Sequence, residues 1–144
     1  MSSAPALPVL PSVDCGPFVL LVDDHEMCLQ LLREIVESAG HRCVTATSGA
    51  DALVLCADHR PQAVVTDLSM PGVDGGVLAQ WLRARYPTVP LVLLTGQDLD
   101  GPACDRLRET FTSILRKPVE PEHLLDVLGW LVSPCQPNPD GSLP

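Results

Sequence analysis

The chain has 144 residues, 46% hydrophobic and 19% charged, a composition that supports a single domain with a real apolar core. Nine basic against eighteen acidic side chains give a formal net charge of −9, a field that repels polyphosphate backbones and argues against direct nucleic-acid binding. No apolar run approaches the roughly 20 residues that cross a bilayer, so a membrane-spanning protein is not expected.

Residues 1–16 hold Pro5, Pro8 and Pro11 but no basic residue and no long apolar segment, so they read as a Pro-rich tail without the pattern of a secretory signal. A strand is expected over 18–22, apolar at nearly every position and followed at once by Asp23 and Asp24. The next segment has helical period with a face of Cys28, Leu31, Leu32, Ile35 and Ala39, and Gly40 ends it. A second strand, 43–46, leads to Ser48, a start signal for the second helix. The third strand, 63–66, runs into Asp67, and Gly72, Asp74, Gly75 and Gly76 mark a sharp loop before a helix with Val77, Leu78, Trp81 and Leu82 on its face. The fourth strand, 91–94, ends at Thr95, and Gly101-Pro102 delays or breaks the helix expected after it. A fifth strand at 114–115 precedes Lys117-Pro118, and the last helix carries Leu124, Leu125, Leu128, Leu131 and Val132.

Residues 133–144 form a second Pro-rich tail, which leaves 17–132 as the folded domain. Strands alternating with helices at this spacing predict an α/β fold, a five-stranded parallel sheet with helices on both faces. The six cysteines, Cys15, Cys28, Cys43, Cys56, Cys104 and Cys135, include no C-x-x-C pair. They are expected to be reduced thiols of a cytoplasmic protein.

Every polar group of chemical interest falls just after a strand, on the edge where such sheets bind ligands. Three carboxylates there, Asp23, Asp24 and Asp67, repel by several kcal/mol per close pair unless a cation joins them. Oxygen donors of this kind suit Mg²⁺, and zinc is disfavoured because no His or Cys has ligand spacing. One carboxylate can then act as nucleophile toward a phosphoryl group while a metal, a hydroxyl and an ammonium stabilise its oxygens. Asp67, Thr95 and Lys117 supply those types, and Lys117 is the only lysine, the other eight basic residues being arginines.

These residues resemble the receiver domain of two-component response regulators, of the chemotaxis-regulator kind. Val22-Asp23-Asp24 is similar to the family's acidic pair, the segment from Asp67 through Met70-Pro71-Gly72 to Asp74-Gly75 to its phosphoacceptor loop, and Thr95-Gly96 and Lys117-Pro118 to its remaining signatures. The separations of 43, 28 and 22 positions between Asp24, Asp67, Thr95 and Lys117 agree with the pattern, and the likeness runs from about Pro17 to Val132. The resemblance implies the flavodoxin-like (βα)5 fold with strand order 2-1-3-4-5. It further implies that Asp67 accepts a phosphoryl group from a sensor histidine kinase or a histidine phosphotransfer protein. Asp24, Asp67 and the backbone carbonyl of Ser69 would ligate Mg²⁺, with Asp23 reaching it through water. Thr95 and Lys117 would contact the phosphoryl group, and Lys117–Pro118 would be cis.

Two departures concern the output face. Ile114 stands at the switch position where the family often has an aromatic residue, and Thr110-Phe111 stands where many members have Gly-Ala. An atypical output face, read by a specialised and unidentified partner, is the expectation. A receiver-like scaffold that binds partners without phosphorylation is the alternative. An aspartyl-phosphate phosphatase would place Asp two positions after its nucleophile, where Ser69 stands, so an enzyme acting on other substrates is not expected. No effector segment is expected after Leu131, and a stand-alone regulator is expected rather than part of a hybrid kinase. His25, His41, His59 and His123 read as surface residues, and Ser69 and Gln97 flank the site where they can admit or block water.

Overall fold

The computed structural model describes residues 17–96 and 102–132. Both tails, with Cys15 and Cys135, lie outside the described residues, as do Gln97, Gly101 and the side chain of Cys104. The elements alternate as β1 (Val19–Val22), α1 (Glu26–Ser38), β2 (Cys43–Ala46), α2 (Gly49–Asp58), β3 (Ala63–Asp67), α3 (Gly75–Arg85), β4 (Leu91–Thr95), α4 (Pro102–Thr110), β5 (Ser113–Arg116) and α5 (Pro121–Leu131). All four strand pairings are parallel and the order is β2-β1-β3-β4-β5, the doubly wound arrangement expected from the alternation and the resemblance.

The three inner strands are buried at every position, which is why their sequences show no polar alternation. Their side chains point alternately into two apolar layers. Leu20, Val22, Val64, Leu91 and Leu93 meet Leu55 of α2 and Leu78 and Leu82 of α3 on one face. Val19, Leu21, Val65, Val92 and Leu94 meet Leu29, Leu32 and Val36 of α1 and Leu124 and Leu128 of α5 on the other. Each fully buried leucine contributes about 1.5–3 kcal/mol relative to exposure.

Helix boundaries follow local chemistry. The Ser48 hydroxyl accepts from the Asp51 amide at 3.0 Å at the start of α2, and Gly40 takes φ +92° just after α1, a conformation costly for residues with a Cβ. Pro102 opens α4 and Pro121 opens α5, where the missing amide hydrogen costs no helical hydrogen bond. Pro102 therefore stands at the head of α4 and does not break it.

α1 buries a face shifted from the expected one. Leu29, Leu32 and Val36 are buried, whereas Leu31 is 58% exposed, Cys28 is exposed and Ala39 caps the helix outside it. Apolar residues occupy two adjacent stripes of this helix, and periodicity alone does not choose between them; the side turned to β1 and β3 does. In α3 the buried residues are Gly75, Leu78, Ala79 and Leu82, with Val77 half exposed.

The described cysteines are free, and they differ in environment. Burial pushes the Cys56 thiol up to about 12. Burial, assisted by Glu37 and opposed by Arg33, likewise pushes Cys43 up to about 12. Cys28, on α1, is exposed. Brief iodoacetamide treatment of the folded protein near pH 8 is expected to alkylate Cys28 and spare Cys43 and Cys56. Peptide mass mapping reads this, and equal labelling of all three before urea is added would contradict the packing.

Candidate functional site

The order β2-β1-β3 sends the connections after β1 and β3 to opposite sides, opening a crevice at the carboxyl edge between them. Asp23 and Asp24 follow β1, Asp67 ends β3, Thr95 ends β4 and Lys117 follows β5. Asp23, Asp67 and Thr95 are buried at 0%, 6% and 2% exposure, so three of the five polar groups expected at this edge are withdrawn from bulk water. The Lys117 amide donates to the Thr95 carbonyl at 2.8 Å, continuing the β4–β5 ladder one residue past the strand. Lys117–Pro118 is cis, as the resemblance implied.

Lys117 Nζ stands 3.3 Å from Asp67 Oδ1 and 3.5 Å from Asp23 Oδ2, bridging the carboxylates of β1 and β3. Burial lowers the affinity of Lys117 for its proton, but the charges of Asp23 and Asp67 together outweigh that and hold its pKa above 10.5. A raised folded-state value means that this contribution to stability is complete below the unfolded pKa and is lost as pH climbs through the folded one. In EDTA, the stability difference between wild type and Lys117→Met should stay constant to about pH 10 and shrink above it. Denaturant titrations at stepped alkaline pH test this; a difference that grows with pH would refute it.

The remaining carboxylate oxygens are unevenly served. Asp67 Oδ1 accepts from the Leu68 amide at 2.9 Å, and Asp23 Oδ1 accepts from the His25 amide at 2.9 Å just before α1, whose first turn has no side-chain cap. Asp23 Oδ2 and Asp24 Oδ1 are buried and accept no hydrogen bond among the described residues. Buried carboxylate oxygens that accept no hydrogen bond are costly, and a divalent cation is the partner such a donor set fits.

One member of this group, His25, was not expected there. His25 is 71% exposed at the head of α1, as expected of a surface residue. Its Nδ1 nevertheless turns to Asp23 Oδ1 at 3.5 Å and Asp24 Oδ1 at 3.3 Å. One ligand atom from each of Asp23, Asp24, His25 and Asp67 lies within 4.8 Å of every other. The signal was its place directly after the acidic pair at a helix start, where the chain turns back over the carboxylates.

The loop after Asp67 is set by close packing. A Cβ on Gly75 would meet the Asp67 carbonyl oxygen, and one on Gly49 would meet the carbonyl of Val73, so α3 and α2 press directly on this loop. Gly72 takes φ +75° at its turn, and the Asp74 carboxylate accepts from the Val77 amide at 2.9 Å to start α3. Ser69 is exposed and lines an open groove with Leu68, Met70, Pro71 and Asp74. Ile114 is half buried against the core layer that holds Phe111, filling space on the β5 side.

Residues 19–129 match the family model described as the response regulator receiver domain. Over 110 residues the chain is 34% identical to the response regulator protein FleR of Pseudomonas aeruginosa, a match covering 76% of this chain and 23% of FleR. It is 36% identical over 110 residues to the sensor histidine kinase RcsC of Salmonella typhimurium, covering 76% of this chain and 11% of RcsC. The matched segment thus spans less than a quarter of either relative. Among solved structures, the signal receiver domain of a signal transduction histidine kinase from Syntrophus aciditrophicus superposes with a TM-score of 0.76 at 25% identity, covering 89% of this chain and 98% of that one. Family, fold and the carboxylate-lined edge agree, and the chain belongs to the response regulator receiver domains of two-component systems.

Proposed function

We propose that residues 17–132 act as a phosphoacceptor switch in a two-component phosphorelay. A carboxylate oxygen of Asp67 attacks the phosphorus of a phosphohistidine on a sensor histidine kinase or a histidine phosphotransfer protein. The new O–P bond forms as the N–P bond breaks, which leaves an acyl phosphate on Asp67 and returns the imidazole. Asp23, Asp24, Asp67 and the Ser69 carbonyl would hold Mg²⁺, with Asp23 acting through water, and the ion supplies positive charge to the phosphoryl oxygens. Lys117 brings an ammonium to the same oxygens, and the Thr95 hydroxyl hydrogen-bonds them once they are in place. The observation that carries this reading is the bridge from Lys117 to both Asp23 and Asp67 beside buried carboxylate oxygens that accept no hydrogen bond.

Phosphorylation replaces one carboxylate by a group of greater charge with three acceptor oxygens, and Thr95 carries the change into the segment after β4. The surface that changes is α4, β5 and α5, where Ile114 shifts by packing and has no hydroxyl to reorient. The receiver modifies only itself, and its output is a change in affinity for a partner protein. Intact mass after incubation with acetyl phosphate and Mg²⁺ tests the reading: wild type should gain one phosphoryl group, and Asp67→Asn and wild type in EDTA should gain none. Uptake by Asp67→Asn would move the acceptor elsewhere. No uptake by wild type, with partner binding indifferent to Asp67→Asn, would leave a phosphorylation-independent scaffold.

A further inference from the structure

The acidic edge contains one donor that its oxygen chemistry does not need. His25 reaches it because Asp23 takes the His25 amide at 2.9 Å, which fixes the backbone at the head of α1 directly over the carboxylates. The imidazole then sits with Nδ1 3.3 Å from Asp24 Oδ1 and 3.5 Å from Asp23 Oδ1. Its side chain caps no helical amide, and with 71% exposure it is not held by packing. We infer that His25 is a nitrogen ligand of this centre, which makes it a mixed oxygen–nitrogen site that takes nitrogen-accepting first-row divalent cations, Co²⁺ and Zn²⁺ among them, more tightly than its oxygen donors alone would.

The distances permit it. Donors on such an ion at about 2.0–2.2 Å stand at most roughly 4.4 Å apart, and the four candidate atoms already lie within 4.8 Å of one another without an ion to draw them in. The cluster is also more than surface acidity: the Asp23 side chain is 1% exposed, and its Oδ2 accepts no hydrogen bond. Imidazole discriminates among cations because Mg²⁺ prefers oxygen and holds its waters, whereas ions later in the first row gain from nitrogen. As a ligand the neutral imidazole gives its Nδ1 lone pair to the ion, and Nε2–H keeps its proton.

This inference rests on the carboxylates holding a divalent ion, and the test separates the two claims. Reduced wild-type protein and His25→Ala are titrated by calorimetry at one fixed pH, with Mg²⁺ alone and with Co²⁺. Only the Co²⁺ binding that excess Mg²⁺ displaces is counted, so that other histidines and the cysteines do not contribute. The expected result is a Co²⁺ affinity at least 10-fold weaker in His25→Ala, with Mg²⁺ affinity unchanged within about twofold. His25→Gln should behave as the alanine variant toward Co²⁺. Equal Mg²⁺-displaceable Co²⁺ binding in wild type and His25→Ala would overturn the inference while leaving the carboxylate site intact. Failure of both proteins to bind Mg²⁺ would overturn the metal reading and the inference together.

Discussion

Replacing Lys117 by alanine is expected to slow phosphoryl uptake on Asp67 by roughly 100- to 1000-fold without weakening Mg²⁺ binding, the loss typical when one preorganised charge donor is removed from a buried site. Lys117 is the cation that spans Asp23 Oδ2 and Asp67 Oδ1, and its ammonium also competes electrostatically with any divalent ion placed among the same oxygens. Its removal therefore strips charge from the transferring group while leaving the carboxylates freer for Mg²⁺. In EDTA the variant holds two buried carboxylates facing each other without a neutralising partner, so it should unfold at lower temperature than wild type. Added Mg²⁺ should then raise its melting temperature more than that of wild type, because an ion bound only by the folded state stabilises in proportion to its occupancy. Lys117→Arg should recover little of the rate, since a planar fork does not fit the point between two strand ends that a compact ammonium occupies. Uptake from acetyl phosphate followed by intact mass, with Mg²⁺ affinity by calorimetry, gives both numbers. A rate within tenfold of wild type would reduce Lys117 to a structural ion pair.

What the sequence revealed and what it hid divide along the reach of the interactions. The strands were legible because burial on both faces leaves nearly continuous apolar runs, and the site was legible because each of its residues stands directly after one of them. Asp23, Asp24, Asp67, Thr95 and Lys117 meet wherever five such strands lie parallel, so finding the strands was finding the edge. The face of α1 was not legible, because Leu31 and Leu32 offer neighbouring stripes and only contact with β1 and β3 selects Leu32. His25 was missed for a related reason. Its sequence context describes a solvent-facing helix start, which it is, while the direction of its Nδ1 depends on the Asp23 carboxylate drawing in the His25 amide. Gly75 reads as a loop residue, yet it and Gly49 are places where no Cβ fits beside the loop after Asp67.

Arg83 is the clearest long-range feature that no motif announced, and its removal should have the largest effect on stability away from the site. It lies in the last turn of α3, and its guanidinium donates to three backbone carbonyls: Pro87 at 2.7 Å, Val89 at 3.0 Å and Thr110 at 2.8 Å. The first two belong to the connection into β4, and the third is the last residue of α4, whose terminal carbonyls have no helical partner. One side chain thus ties α3, the start of β4 and the end of α4, and places a positive charge at two helix C-termini. A planar fork with five donors can do this; a lysine cannot reach three divergent carbonyls. Arg83→Ala is expected to cost about 2–3 kcal/mol, since each hydrogen bond to a charged donor contributes roughly 1.5–3 kcal/mol but water replaces part of what is lost at a half-buried position. For a domain of this size that lowers the melting temperature by about 10 °C. Arg83→Lys should recover less than half of the loss. Phosphoryl uptake on Asp67 at 20 °C should stay within about twofold of wild type in both variants, because Arg83 sits at the amino end of β4 and Thr95 at its carboxyl end. A thermal melt and an uptake assay on the same samples decide it: a stability loss with uptake intact places Arg83 in the scaffold, whereas loss of uptake at full stability would place it in the path between α4 and the acceptor.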